Sequence, residues 1–132
     1  MIQIFQKSLP FAHKTAIISD GKEFTYTELH QASENIAHLL LEEQVDLAEA
    51  RVAFMVNPGF DYVRVQWGIW QAGGIVVPLC LSYPLPSLRY TIENSGASVI
   101  IVSPEFEWML SELAIELKCR FIVLGKNDTA KK

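Results

Sequence analysis

The stretch Trp70-Gln71-Ala72-Gly73-Gly74-Ile75-Val76-Val77-Pro78-Leu79 constrains the fold of this chain more than any other segment. A helical run ends on a glycine pair and passes at once into three branched apolar residues. Glycine has no Cβ, so one of the pair can take positive φ and close the helix. Ile75 to Val77 is apolar on both faces, the pattern of a central parallel strand. Pro78 lacks an N–H and is expected to end the ladder.

The same punctuation recurs along the chain. Ala16-Ile17-Ile18-Ser19 and Glu23-Phe24-Thr25-Tyr26 flank Asp20-Gly21, which predicts a small hairpin. Thr25 and Glu28 have capping-box spacing, so a helix should start there. Leu29, Ala32, Ser33, Ile36 and Leu40 then share one helical face, and the helix should fade near Glu43. Val45 to Ala50 is a short connection. Arg51 to Val56 is an apolar run of strand length, broken by Asn57-Pro58-Gly59. Phe60, Val63, Trp67 and Trp70 recur at helical steps, and the strand from Ile75 follows.

Pro86 or Ser87 can open a further helix carrying Leu88 and Ile92, closed by Asn94-Ser95-Gly96. Ser98 to Val102 reads as a strand. Ser103 before Pro104 and Glu105 is a helix start, with a capping hydroxyl, an N-terminal proline and an acid at the positive dipole end. Phe106, Leu110, Leu113 and Leu117 form its apolar face, and Arg120 to Leu124 is the last strand. This alternation predicts the α/β class: a mainly parallel four-stranded sheet flanked by helices with right-handed crossovers, plus a small N-terminal hairpin. The expected organisation is a single domain over residues 1–132, with 125–132 a flexible tail. Strands Val52 to Val56 and Ile75 to Val77 are expected to be the most buried.

Composition narrows the partners. A net charge of −4 gives no electrostatic reason to expect nucleic acid or an anionic membrane. Cys80 and Cys119 lack CxxC spacing and read as reduced, mostly buried thiols. No apolar run reaches the roughly 18 residues that span a bilayer. Met1 to Lys7 carries no signal-peptide apolar stretch. The expected location is therefore the cytoplasm, and the sequon Asn127-Asp128-Thr129 is given no weight.

Phe24-Thr25-Tyr26-Thr27-Glu28-Leu29 and Ala72-Gly73-Gly74-Ile75-Val76-Val77-Pro78-Leu79, followed by Tyr83-Pro84, resemble the first two core motifs of one family. It is that of the adenylate-forming ligases: acyl- and aryl-CoA synthetases, luciferase and peptide-synthetase adenylation domains. The resemblance runs from about Phe11 to Leu124. Residues 69 to 103 look most like the malonyl- and medium-chain acyl-CoA synthetase branch. The resemblance implies ATP, Mg²⁺ and CoA for a complete enzyme that passes through an acyl-AMP. It also implies a Ser/Thr/Gly-rich phosphate loop ending in Pro-Lys, acids for Mg²⁺ and ribose, and a catalytic lysine on a mobile C-terminal domain. None of these motifs occurs between residues 1 and 132. The expectation is an N-terminal, truncated segment that is inert alone, with no catalytic, cofactor-binding or metal-binding residue of its own. Its expected partners are the remainder of the ligase and a second copy, through surface that truncation leaves uncovered.

Other candidates read as structural. Gly73-Gly74 follows a helix and precedes a strand, whereas nucleotide loops follow a strand and open a helix. Pro78, Tyr83 and Pro84 are loop-shaping residues. His13, His30 and His38 form no triad or metal pattern, and His30 and His38 are placed on the solvated side of their helix. Trp67, Trp70 and Trp108 are placed in the core. Glu105 and Glu107 serve the helix dipole and solubility. Arg51, Arg64, Arg89 and Arg120 are dispersed, and Lys126, Lys131 and Lys132 lie in the tail. Two other readings stand beside the ligase segment. One is a free-standing flavodoxin-like binding or regulatory module, although Asn57-Pro58-Gly59 after the first sheet strand offers neither a phosphoacceptor acid nor a Ser/Thr-rich flavin loop. The other is a non-catalytic scaffold for a separately encoded remainder.

Overall fold

A computed structural model describes residues 3–126. The tail residues 127–132, with the sequon, Lys131 and Lys132, lie outside the described residues. The contacts divide the chain into two compact units: residues up to Leu47 with Pro58–Gly73, and Ala48–Asn57 with everything from Gly74.

The first unit holds α1 (Gln3–Ser8), a 3₁₀ turn (Leu9–Phe11), β1 (Thr15–Ser19), β2 (Lys22–Thr25), α2 (Tyr26–Leu41) and, after the segment that belongs to the second unit, a further helix, Phe60–Gln71. Strands β1 and β2 pair antiparallel, with Ser19 opposite Lys22 and Ile17 opposite Phe24. Asp20 and Gly21 both have positive φ, 52° and 77°, as a two-residue turn that follows the strand twist requires. The capping box forms: Glu28 N–H donates to Thr25 Oγ1 at 3.2 Å, and Thr25 N–H donates to Glu28 Oε1 at 2.8 Å. Helix α2 buries Leu29, Ser33, Ile36, Ala37 and Leu40. Phe5, Leu29 and Trp67 form the centre of this unit's core, with Ile17, Tyr26, Phe60, Val63 and Trp70 packed around them. The rings of Phe24 and Phe60 stack with centroids 4.0 Å apart. Gly68 allows the closest approach of the two long helices, because a Cβ there would meet Ile36 Cβ at 2.5 Å.

The second unit is built on a sheet of β3 (Arg51–Met55), β4 (Ile75–Pro78), β5 (Val99–Val102) and β6 (Arg120–Val123). The helix Phe60–Gln71, between β3 and β4 in sequence, is α3. Helices α4 (Leu85–Ser95) and α5 (Glu107–Glu116) precede β5 and β6. All pairings are parallel, in the order β4-β3-β5-β6. Alternate residues Ala53, Met55, Ile100, Val102 and Val123 present one face, which packs against Leu88 and Ile92 of α4 and Leu110, Leu113 and Ala114 of α5. The four-stranded parallel sheet, the hairpin and helices α2 to α5 are those the sequence predicts, whereas α1 is an element the sequence pattern does not predict.

Two expectations need correction. Strand β4 lies at an edge, not at the centre: Ile75 is 40% exposed, while all four residues of β5 are buried. A fully apolar run marks a central strand only when neighbours stand on both sides, and periodicity does not carry that information. Pro78 is the last residue of β4 and the last in register with β3, as expected, and its missing N–H costs no bond to β3. Ile75 N–H donates to Ala50 O and Leu79 N–H donates to Phe54 O, both at 2.9 Å. Donors facing β3 are therefore the odd-numbered ones, and the N–H that Pro78 lacks would point away from β3, where an edge strand tolerates proline. Finally, Ser103 does not cap α5. Pro104–Phe106 form a 3₁₀ turn, and the Ser103 hydroxyl is used elsewhere.

Candidate functional site

Open α/β sheets bind ligands at the carboxyl ends of their strands, where strand order reverses. In this sheet β3 is followed in sequence by β4 on one side, and the chain then returns to β5 on the other. The segments leaving β3 and β5 meet at that point. Asn57 N–H donates to Ser103 Oγ at 3.1 Å, and the Asn57 side-chain amide donates to Glu105 Oε2 at 2.6 Å. Ser103, buried, sends its own N–H to Met55 O at 3.0 Å. The polar groups here are spent on joining two loops. The one formal charge among them, that of Glu105, repels phosphate. Asn57, read from the sequence only as a strand breaker, is the residue that ties the edge together.

A second concave feature lies within the first unit. It is an open cleft of about 690 Å³ lined by Phe5, Leu9, His30, Glu34, Asp46, Trp70, Gln71 and Gly73. His30 is not on a solvated face, as its spacing from His38 suggests. Its Nε2 lies 2.7 Å from Ser8 Oγ, and its ring stands edge-on to Trp67 with centroids 5.6 Å apart. Helix α1 covers this part of α2, a tertiary contact that no heptad count reveals. His13 and His38 are exposed.

The remaining candidates divide as follows. Gly73 has φ 86° and closes α3, and a Cβ on it would collide with the Asp46 carboxylate. The pair is thus a packing feature. Trp67 is buried and Trp70 half-buried, but Trp108 is 75% exposed, against expectation. Trp108 stands two residues, about 200° of helix, from Leu110, which points into the core. Glu105 holds Asn57, and Glu107 pairs with Lys126 at 2.8 Å. Arg64 is held by Asp61 at 2.8 Å, and Arg89 reaches Glu116 at 3.1 Å. Arg51 and Arg120 open β3 and β6, at the end of the sheet opposite Asn57. Cys80 and Cys119 are free thiols, and Cys80 is exposed rather than buried. The Ser82 hydroxyl, with backbone groups of Ser82 and Tyr83, holds the Cys80 thiol below the usual range. Burial pushes Cys119 up. Among the described residues no cluster of His, Cys, Asp and Glu could hold a metal, and no helix is long and apolar enough to cross a membrane.

Comparison with known proteins gives these features a context. The chain is 34% identical over 120 residues to the mitochondrial malonate–CoA ligase ACSF3 of Mus musculus, covering 88% of this chain and 21% of that protein. It is 25% identical to a malonate–CoA ligase of Arabidopsis thaliana, over 89% of this chain and 22% of that one. The chain thus spans about a fifth of the length of these curated relatives. The fold matches the anthranilate CoA ligase AuaEII with TM-score 0.84 at 22% identity, over 96% of this chain and 25% of that one. It matches MatB from Rhodopseudomonas palustris with TM-score 0.79 at 24% identity, over 91% and 24%. Residues 5–131 match the AMP-binding enzyme family, and the chain belongs to it.

Proposed function

We propose that this chain forms the amino-terminal part of the large domain of an ATP-dependent acid–CoA ligase, and that residues 1–132 alone do not catalyse the reaction. The whole enzyme would activate a small carboxylic acid of the malonate type as an acyl-AMP, with Mg²⁺, and pass the acyl group to CoA. The observation that carries this reading is the 34% identity to a malonate–CoA ligase across most of the chain. Two physical arguments support inertness. A polyphosphate needs a nest of backbone N–H groups and a positive charge, and the sequence supplies no such loop. The carboxyl end of the sheet is joined by Asn57, Ser103 and Glu105, which offer no cationic group. The role proposed for this segment is therefore to support the motifs that carry the chemistry. We place it in the cytosol, on the strength of its free thiols.

Two experiments test the reading. The chain alone, with ATP, Mg²⁺ and malonate, should show no pyrophosphate exchange; saturable exchange lost on unfolding would refute its inertness. Substituted for the matching segment of a malonate–CoA ligase, it should preserve malonate-dependent exchange. A folded chimera without exchange would refute the proposed role.

A further inference from the structure

The cleft of the first unit has a composition that selects its ligand. Its apolar floor is Leu9 and Trp70, with Phe5 buried beneath them, and its polar members are His30, Glu34, Asp46 and Gln71. No Lys or Arg lines it. At about 690 Å³ it lies within the size range of small-molecule sites. The hydrogen-bonding groups are weighted to one side. Glu34 and Asp46 are carboxylates and only accept. The Ser8 hydroxyl donates to Phe5 O at 2.8 Å, so the 2.7 Å contact of Ser8 Oγ with His30 Nε2 has the imidazole as donor. In the neutral ring this leaves Nδ1 as an acceptor. Gln71 and the Trp70 indole N–H are the remaining side-chain donors among the lining residues, and neither carries charge.

A rim with two carboxylates and no cationic side chain, above an apolar floor, suits a ligand that carries positive charge on an apolar stem. We infer that this cleft is a binding site for an organic cation, an ammonium or guanidinium group on an aromatic or alkyl stem. The stem packs on Leu9 and on the half-buried ring of Trp70, where an aromatic ring also attracts a nearby cation. The charge faces Glu34 and Asp46. Gly73 belongs to the site, because any side chain there would displace the Asp46 carboxylate. The same two carboxylates repel ATP, CoA and a dicarboxylic acid, all anions, so the cleft is separate from the chemistry proposed above and does not depend on it. The cation has two possible sources, a free amine or a Lys or Arg side chain on a peptide, and both share this chemistry.

The test is a backbone-amide NMR titration of the folded chain at low salt with four probes: phenethylamine, an acetylated and amidated Ala-Arg-Ala peptide, 2-phenylethanol and phenylacetate. Phenethylamine or the peptide should give saturable shifts at Glu34, Gln71, Gly73 and the Trp70 indole, and whichever binds tighter identifies the source. The neutral and anionic probes should bind at least about fivefold more weakly. Glu34→Gln, an exposed change on α2, should weaken the cation by about fivefold while leaving the rest of the spectrum in place. No saturation by either cation up to about 50 mM would overturn the inference. So would equal binding of 2-phenylethanol or phenylacetate, or an unchanged affinity in Glu34→Gln.

Discussion

Replacing Gly68 by alanine sets two well-calibrated effects against each other. Gly68 lies inside α3, where alanine is favoured over glycine by about 1 kcal/mol. An exposed helical glycine would therefore be stabilised by the change. Here the new methyl would meet Ile36 Cβ and Cγ2 at 2.5 Å and the Ser33 carbonyl oxygen at 2.9 Å. Ordinary carbon contacts are about 3.5–4.0 Å, so the deficit is roughly 1 Å. Neither neighbour can swing aside. One is a branched Cβ fixed to its backbone, the other is the helical backbone, and both residues are fully buried. Helices α2 and α3 must part, and the side chains around the new gap lose dispersion contacts. Overpacking of this kind costs about 1–3 kcal/mol, and backbone involvement places it at the upper end. After subtracting the propensity gain, Gly68→Ala should destabilise by about 2 kcal/mol. Urea unfolding followed by circular dichroism should show the midpoint falling by about 1 M at unchanged slope. Gly96→Ala is the control: nothing lies within 4 Å of its added Cβ, and φ is 73°. It should cost about 1–2 kcal/mol from left-handed strain alone. A midpoint that rises in Gly68→Ala would refute the packing argument, since propensity would then have won.

Trp67→Ala should cost about 3–5 kcal/mol, because it empties the centre of the first unit's core. His30→Ala should cost about 1–2 kcal/mol by losing the Ser8 contact and two aromatic neighbours; a change within about 0.5 kcal/mol, the value for an exposed site, would contradict the placement of α1. Iodoacetamide at neutral pH should label Cys80 before Cys119, since a lowered pKa enlarges the thiolate fraction and a raised one shrinks it. Ser82→Ala should slow labelling of Cys80, and equal rates by mass spectrometry would refute the assignment. We propose that the isolated chain self-associates through α5, where Trp108 and Ile115, seven residues apart, are 75% and 77% exposed. Sedimentation velocity should show mass rising with concentration and Trp108→Glu suppressing the rise; a wild-type monomer at about 1 mM would rule it out.

Local rules carried most of the fold. Asp20-Gly21 specified the hairpin because only residues tolerant of positive φ fit a two-residue turn. Thr25 with Glu28, and Gly96 after α4, marked helix ends by chemistry confined to one turn. What sequence reasoning missed was tertiary. β4 at the edge, α1 over His30 and Gly68 against Ile36 all depend on which element arrives next to which. Gly68 gave no turn signal, since it sits in mid-helix among apolar residues. The only hint was its cost: a glycine placed where alanine would be about 1 kcal/mol better points to a neighbour that forbids the methyl.

Trp108 shows how a correct helix still yields a wrong placement. The period that put Phe106, Leu110, Leu113 and Leu117 on one face places Trp108 on the other, so the information was present and a residue-type prior overrode it. The candidate sites were less legible for a different reason. Asn57, Ser103 and Glu105 meet only because β3 and β5 are neighbours although β4 comes between them in sequence. His30, Glu34, Asp46 and Gln71 come from three separate segments of the first unit. In both cases the chemistry is set by strand order and helix docking. The family motifs are different, because each is a continuous run whose spacing survives in the sequence. That is why family membership could be read from Thr25-Tyr26-Thr27-Glu28-Leu29 and Gly73 to Pro78, while the cation-selective cleft needed coordinates.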